Sequence, residues 1–212
     1  MHLQLALDRM TIDTAIEVTK EVYNEIDWIE IGTSLIKEFG IESIQAMKQE
    51  FPDKILVADM KTMDNAKYEC QLCFEAGADV LTVMGAAPAI TVETCLNEAA
   101  KRKKQVMIDL LNVNLERLPQ LLQYEEAIFC LHFSKDQQEL SAPPQQHPLL
   151  FFPALEGVRI AVAGGISIDT VETVKRMNPS IVIVGSAITK AVDKKKAARE
   201  LKQAILFRGD YK

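Results

Sequence analysis

No stretch of about 18 consecutive apolar residues occurs in the sequence, which excludes a membrane-spanning helix. The opening residues, Met1-His2-Leu3-Gln4, have neither the basic stretch nor the apolar core of a signal peptide, so a cytoplasmic protein is expected. Cysteine is scarce, and Cys70, Cys73, Cys95 and Cys130 sit inside apolar, regular-looking segments. A disulfide scaffold would not be built that way; reduced, buried thiols are expected. Cys70 and Cys73 form a C-x-x-C, but no second cysteine pair and no nearby histidine joins them to hold zinc. A redox pair would open a helix, whereas this one lies in the middle of one, where i, i+3 spacing puts both thiols on one packed face. Positive charge is also short. With 24 Lys and Arg against 30 Asp and Glu, a net charge of −6 argues against nucleic acid or an anionic membrane surface as partner. A small anionic substrate stays open, because backbone N–H groups can build a phosphate site without basic side chains.

What is present is one repeating pattern along all 212 residues, with an apolar content of 48%, enough for a full core. Short runs rich in Val, Ile and Leu recur at Leu3–Leu7, Trp28–Ile31, Ile55–Ala58, Val80–Val83, Val106–Ile108, Ile128–Leu131, Ile160–Val162 and Ile181–Val184. Continuous hydrophobicity suits strands buried on both faces, as in a parallel sheet. Between them, Thr11–Asn24, Leu35–Glu50, Asn65–Ala76, Ile90–Lys103 and Thr170–Met177 carry apolar residues at helical spacing. Asp64 and Ser167 stand where N-caps of two of these helices would fall. Eight strand-helix units predict a closed (β/α)8 TIM barrel, a single domain over residues 1–212. An open doubly wound sheet would carry a glycine-rich turn after its first strand, whereas here that strand runs into Leu7-Asp8-Arg9-Met10. The segment Gln137–Gly157 contains Pro143, Pro144, Pro148 and Pro153, so it predicts an irregular excursion, ending in a short helix before the seventh strand.

In such barrels the chemistry sits at the C-terminal ends of the strands. There the sequence places Asp8, Glu30 with Gly32-Thr33, Asp59 with Lys61 and Asp64, Asp109, His132, Gly164-Gly165 and Gly185-Ser186. The fourth strand, ending Val83-Met84-Gly85, offers little. Each residue has an ordinary alternative: Asp109 as a helix cap, Glu30 as an ion pair, His132 as a core or loop histidine, Asp59-Lys61-Asp64 as a surface ion cluster. The conjunction is what carries weight. Asp8, Glu30, Asp59 and Asp109 converging beside one lysine would repel one another strongly, and a divalent cation resolves this. Hard oxygen ligands favour Mg²⁺ or Mn²⁺ over zinc. Strand alternation puts Asp59 and Lys61 on one face, so that the lysine is held cationic and can stabilise a developing oxyanion. Gly164, Gly165, Gly185 and Ser186 suit a backbone phosphate site after the last two strands. Together these features predict a phosphorylated sugar as substrate, with negative charge held near its carbonyl.

The segments LQLALD (Leu3–Asp8), WIEIGT (Trp28–Thr33), ADMKTMD (Ala58–Asp64), AVAGGI (Ala161–Ile166) and IVGSAIT (Ile183–Thr189) closely resemble the 3-hexulose-6-phosphate synthase family. They also resemble its relative, 3-keto-L-gulonate-6-phosphate decarboxylase, both within the orotidine-5′-phosphate decarboxylase suprafamily. The likeness runs from residue 3 to about 205 with order and spacing kept, and D-x-K-x-x-D is shared across the suprafamily. The resemblance implies that Glu30 and Asp59 bind the metal, Asp8 contacts substrate and Lys61 stabilises an enediolate. It implies that His132 manages protons at the reacting carbon and that Gly165, Gly185 and Ser186 belong to the phosphate loop; Asp109 and Gly164 join the substrate-binding set. It also implies a homodimer in which Asp64 completes the neighbouring active site. ADMKTMDNA at the third strand, and Ser186 where decarboxylases commonly place arginine, are similar to the synthases. His132-Phe133-Ser134-Lys135-Asp136 departs from their H-T-G-x-D, and its serine is similar to the decarboxylase H-R-S-x-D. The activity implied is aldol addition of formaldehyde to D-ribulose 5-phosphate. The alternatives are decarboxylation of 3-keto-L-gulonate 6-phosphate and a barrel that binds a sugar phosphate without turnover.

Overall fold

Eight parallel strands close on themselves in chain order, β1-β2-β3-β4-β5-β6-β7-β8, with β1 paired to β8. The structure is a computed structural model and describes residues 1–140, 155 and 157–207. The strands are β1 (His2–Leu7), β2 (Trp28–Ile31), β3 (Ile55–Thr62), β4 (Val80–Met84), β5 (Gln105–Asp109), β6 (Ile128–His132), β7 (Arg159–Ala163) and β8 (Ile181–Val184). Each expected apolar run became a strand. The helices among the described residues are α1 (Ile12–Val22), α2 (Thr33–Phe39), α3 (Glu42–Glu50), α4 (Ala66–Glu75), α5 (Ala89–Lys101), α6 (Leu118–Leu122), α7 (Lys135–Leu140), α8 (Val171–Lys175), α9 (Ser186–Thr189) and α10 (Lys194–Leu206).

Continuous hydrophobicity has its reason in two separate cores. Alternate residues of each strand point outward, so that Leu3, Leu5, Leu7, Ile29, Ile31, Phe129 and Val182 join the helices in one apolar layer. The intervening residues point into the barrel, where Trp28, Val57, Val80, Met107, Ile128, Ala161 and Ile181 fill the lower interior. Higher in the barrel the inward positions turn polar: Glu30, Asp59, Thr82, Asp109 and His132. The apolar floor thus positions a charged rim. The four cysteines are free and buried, as the composition led us to expect. Cys70 and Cys73 lie in the outer core, and Cys130 faces the interior. Among the described residues, no helix is long and apolar enough to cross a membrane.

Several expectations need correction. The stretch Leu35–Glu50 is two helices, because Gly40 (φ +63) stops α2 with its N–H on the Ile36 carbonyl. Asp64 does not cap α4: the cap position is Asn65, in the left-handed region, and the Asp64 carboxylate accepts from the Asn65 N–H at 2.7 Å. Ser167 does not cap α8 either. Thr170 takes that position, and its hydroxyl accepts from the Ser167 N–H at 2.9 Å. After β6, α7 occupies residues 135–140, so the irregular excursion expected from Gln137 begins as helix; the rest of that expectation, with its short helix before β7, falls on residues outside those described.

The correction that matters most is in β3. Regular pairing would continue from Ala58↔Leu81 to set Thr62 opposite Gly85, but Thr62 pairs with Val83. Asp59, Met60 and Lys61 therefore bulge against the single residue Thr82. Lys61 sits at φ +52, a conformation that costs a non-glycine residue about 1 kcal/mol or more. Asp59 and Lys61 do meet, through this bulge rather than through plain strand alternation.

Candidate active site

At the C-terminal rim the polar inward residues surround a cavity of about 860 Å³. Asp8, Glu30, Asp59, Lys61, Asp109, His132, Gly164, Gly165, Gly185 and Ser186 all line it, so ten of the eleven residues expected at the site converge. Asp64 does not. It is exposed and lies outside this chain's cavity.

Lys61 is the hub. Its Nζ donates to Asp59 Oδ1 at 3.1 Å and to Asp109 Oδ2 at 2.9 Å, so within one chain the lysine lies between Asp59 and Asp109. Burial favours a neutral amine, yet the two aspartates and Glu30 outweigh it and push the Lys61 pKa above the ordinary lysine value. It is an ammonium at every working pH. Asp109, 2% exposed, also accepts from the Leu111 N–H on Oδ1 and sits 2.8 Å from His132 Nδ1. Burial opposes its charge, but His132 and Lys61 prevail and hold the carboxyl at about 2. An ionised carboxylate only accepts, so His132 donates from Nδ1, and in the neutral ring Nε2 then carries the lone pair. Asp59 is held as firmly: Thr82 donates to Oδ1 at 2.9 Å and Thr33 to Oδ2 at 2.8 Å.

Glu30 is 8% exposed, and burial together with Asp59 pushes its pKa up to about 8, against the opposing pull of Lys61 and Gln4. Gln4 donates to Glu30 Oε2 at 2.5 Å, while its own Oε1 is a buried acceptor without a partner among the described residues. Two buried hard-oxygen carboxylates, one resisting ionisation, are a donor set that suits Mg²⁺ or Mn²⁺, which bind through one or two carboxylates and complete their shell from water and substrate. Among the described residues no group of three or more His, Cys, Asp or Glu is placed to hold a metal ion by itself.

A stability test follows from Glu30. Its folded pKa lies above the ordinary 4.5, so the folded protein keeps a proton that the unfolded chain releases. Stability therefore falls as pH rises from about 4.5 to about 8, by on the order of a few kcal/mol. Glu30→Gln, which needs no proton, is expected to melt roughly 5 °C or more above the metal-free wild type at pH 8, the gap closing at pH 5. If Glu30 helps to hold a divalent cation, Mn²⁺ raises the wild-type Tm and leaves the variant unmoved. Equal melting curves at pH 8 would remove the charge-strain argument.

The remaining cavity residues have local reasons for their places. Asp8 Oδ1 accepts from the Ser34 N–H at 3.2 Å and its hydroxyl at 2.8 Å, which ties the end of β1 to the start of α2. Gly164 (φ +97) and Gly165 (φ +67) need the left-handed region, and a Cβ on Gly164 would fall 2.0 Å from the Phe133 carbonyl oxygen. Gly185 and Ser186 open α9 on the adjacent strand. Sequence reasoning passed over Gln4 and Thr82, and it placed Thr33 at the strand end without giving it a role. Gln4 and Thr82 had a visible signal, each being a polar residue inside an apolar run at an inward position.

The barrel and its charged rim put this chain in the class of (β/α)8-barrel proteins whose strand ends converge on one enzyme-like site. Residues 1–201 match the Orotidine 5′-phosphate decarboxylase / HUMPS family, and the chain belongs to it. A 3-hexulose-6-phosphate synthase of Bacillus subtilis (strain 168) is 37% identical over 208 residues, covering 97% of this chain and 99% of its own. The crystal structure of 3-hexulose-6-phosphate synthase from Salmonella typhimurium superimposes with a TM-score of 0.91 at 38% identity, covering 97% of this chain and 99% of that one. KGPDC from Streptococcus mutans, in a ligand-bound crystal structure, gives a TM-score of 0.87 at 28% identity with 97% of both chains covered. The relatives are enzymes, and the resemblance read from the five sequence segments holds across nearly the whole chain.

Proposed function

We propose that this chain is a 3-hexulose-6-phosphate synthase, joining formaldehyde to D-ribulose 5-phosphate to give D-arabino-3-hexulose 6-phosphate. One observation carries the reading: a permanently charged ammonium, Lys61, stands beside a histidine whose Nδ1 is fixed by Asp109. That pairing suits proton removal next to a carbonyl with the resulting charge held in place. The Bacillus and Salmonella relatives add the choice of reaction.

In this reading the phosphate is held by the loop of Gly164, Gly165, Gly185 and Ser186, and Asp8 accepts from a sugar hydroxyl. Glu30 and Asp59 would hold Mg²⁺ or Mn²⁺, which when bound supplies Lewis-acid stabilisation of negative charge on the sugar oxygens. His132 Nε2 takes the proton from C1, leaving its electron pair in an enediolate whose oxygen faces the Lys61 ammonium. C1 then bonds to the formaldehyde carbon as the C2 ketone re-forms, and the formaldehyde oxygen, which receives the pair of its broken C=O π bond, takes a proton from the His132 imidazolium. The unit we propose is a homodimer, with Asp64 reaching the neighbour's cavity. Its exposure outside its own cavity supports this, as do the exposed apolar side chains of Met63, Tyr68 and Ile90 on and near the same helices. The four free cysteines support a cytoplasmic place of work.

A second reading, decarboxylation of 3-keto-L-gulonate 6-phosphate, is favoured by Ser134 after His132 and by the KGPDC likeness. Assaying both substrates with Mg²⁺ decides. Formaldehyde-dependent loss of ribulose 5-phosphate is expected to exceed CO₂ release; the reverse order sinks the synthase reading. Saturable sugar-phosphate binding without C1 proton exchange in D₂O would leave only a binding protein.

A further inference from the structure

We infer that Thr82, on the strand whose end looked empty of chemistry, is a positioning residue that sets Lys61 for catalysis. The inference rests on Lys61 acting at the enediolate oxygen, as proposed above. Three observations converge on this hydroxyl. Thr82 is the only β4 residue facing the three-residue bulge of Asp59, Met60 and Lys61. Its Oγ1 accepts from the Lys61 backbone N–H at 2.8 Å and donates to Asp59 Oδ1 at 2.9 Å. Asp59 Oδ1 in turn accepts from Lys61 Nζ at 3.1 Å. One hydroxyl therefore closes a ring that fixes both the backbone and the side chain of the lysine.

The ring has work to do because of the backbone. Lys61 at φ +52 occupies a conformation that lysine disfavours, and such a conformation persists only where surrounding bonds over-determine it. The bulge has lost the regular ladder partner of the Lys61 N–H, and Thr82, 3% exposed, replaces it. A hydroxyl is the group this position requires, since it must accept and donate at once. Valine has the same shape and does neither. Without the ring the lysine backbone can leave the left-handed region, and Nζ no longer stands fixed between Asp59 and Asp109.

Wild type, Thr82→Val, Thr82→Ser and Lys61→Ala are to be compared in the ribulose 5-phosphate and formaldehyde assay. Thr82→Val is expected to lower kcat by about 10–100-fold with KM within about twofold, the cost typical of a small misplacement of a catalytic group. Thr82→Ser keeps the hydroxyl and is expected to return to within about threefold of wild type. Amide hydrogen exchange at Lys61, read by NMR without substrate, should accelerate in Thr82→Val and stay slow in Thr82→Ser. Wild-type kcat in Thr82→Val beside an inactive Lys61→Ala overturns the inference and leaves the role of Lys61 standing. A Thr82→Ser protein as impaired as Thr82→Val, or unchanged Lys61 exchange, overturns it too. An active Lys61→Ala, or a wild type without turnover, removes the reading and the inference together.

Discussion

Replacing Lys61 by alanine is expected to lower turnover by about 10²–10³-fold or more while the barrel still folds, the loss typical of removing one pre-oriented charge stabiliser. Lys61 is the cation between two buried carboxylates, with Nζ 3.1 Å from Asp59 and 2.9 Å from Asp109. Its charge is in place before substrate arrives and would cost no reorganisation in the proposed enediolate step. Without it, Asp59 and Asp109 face each other unscreened, so the apparent affinity for Mn²⁺ should hold or rise even as turnover collapses. That opposite movement separates loss of a catalytic charge from general damage to the site. The same variant tests the shared dimer. Mixed with Asp64→Ala after unfolding and refolding together, it should regain about a quarter of wild-type activity, because a random dimer population restores one site in half its members. Near-wild-type turnover in Lys61→Ala ends its assigned role. Failure to recover on mixing ends only the shared site.

Much of this site was legible in the sequence because a barrel strand has a simple grammar. A run buried on both faces must be apolar throughout, so a charged residue at its end marks the place where the interior opens to solvent. Asp8, Glu30, Asp59, Asp109 and His132 could be read that way, and all five line the cavity. The glycines could be read as well, since Gly164 and Gly165 hold conformations that few other residues accept. What could not be read was the bulge. Period-two alternation from Asp59 to Lys61 gives the same face with or without two extra residues in β3, so nothing local distinguishes a regular strand from the observed slip against β4. Thr82 stood out as a polar residue inside an apolar run, but its partners could not be read, because only the slipped register fixes them. Asp109 was read from its position as a substrate contact. The pairing that shows what occupies its oxygens, Lys61 and His132 on Oδ2 and the Leu111 N–H on Oδ1, joins residues 48 and 23 positions apart as well as a near neighbour.

Those three bonds make Asp109→Asn a sharp test. The carboxylate receives donors on both oxygens, and an asparagine can present only one oxygen. If the amide oxygen stays toward Lys61 and His132, its NH₂ points at the Leu111 N–H and two donors collide. If the amide flips, its NH₂ faces the Lys61 ammonium, and His132 must turn Nδ1 into an acceptor by moving its proton to Nε2. That tautomer has no lone pair at the nitrogen assigned to C1. Either way kcat is expected to fall about 10³-fold or more, the scale known for amide replacement of a carboxylate that orients a catalytic histidine. Because the Asp109 carboxyl is held at about 2, wild-type activity should show no loss attributable to its protonation between pH 5 and 9. A double-mutant cycle with His132→Ala locates the effect. If Asp109 acts chiefly through the imidazole, Asp109→Asn should cost far less in the His132→Ala background than alone, and what remains is the share carried by Lys61. Full additivity of the two substitutions, or kcat near wild type in Asp109→Asn with an unchanged Tm, would detach the carboxylate from proton transfer.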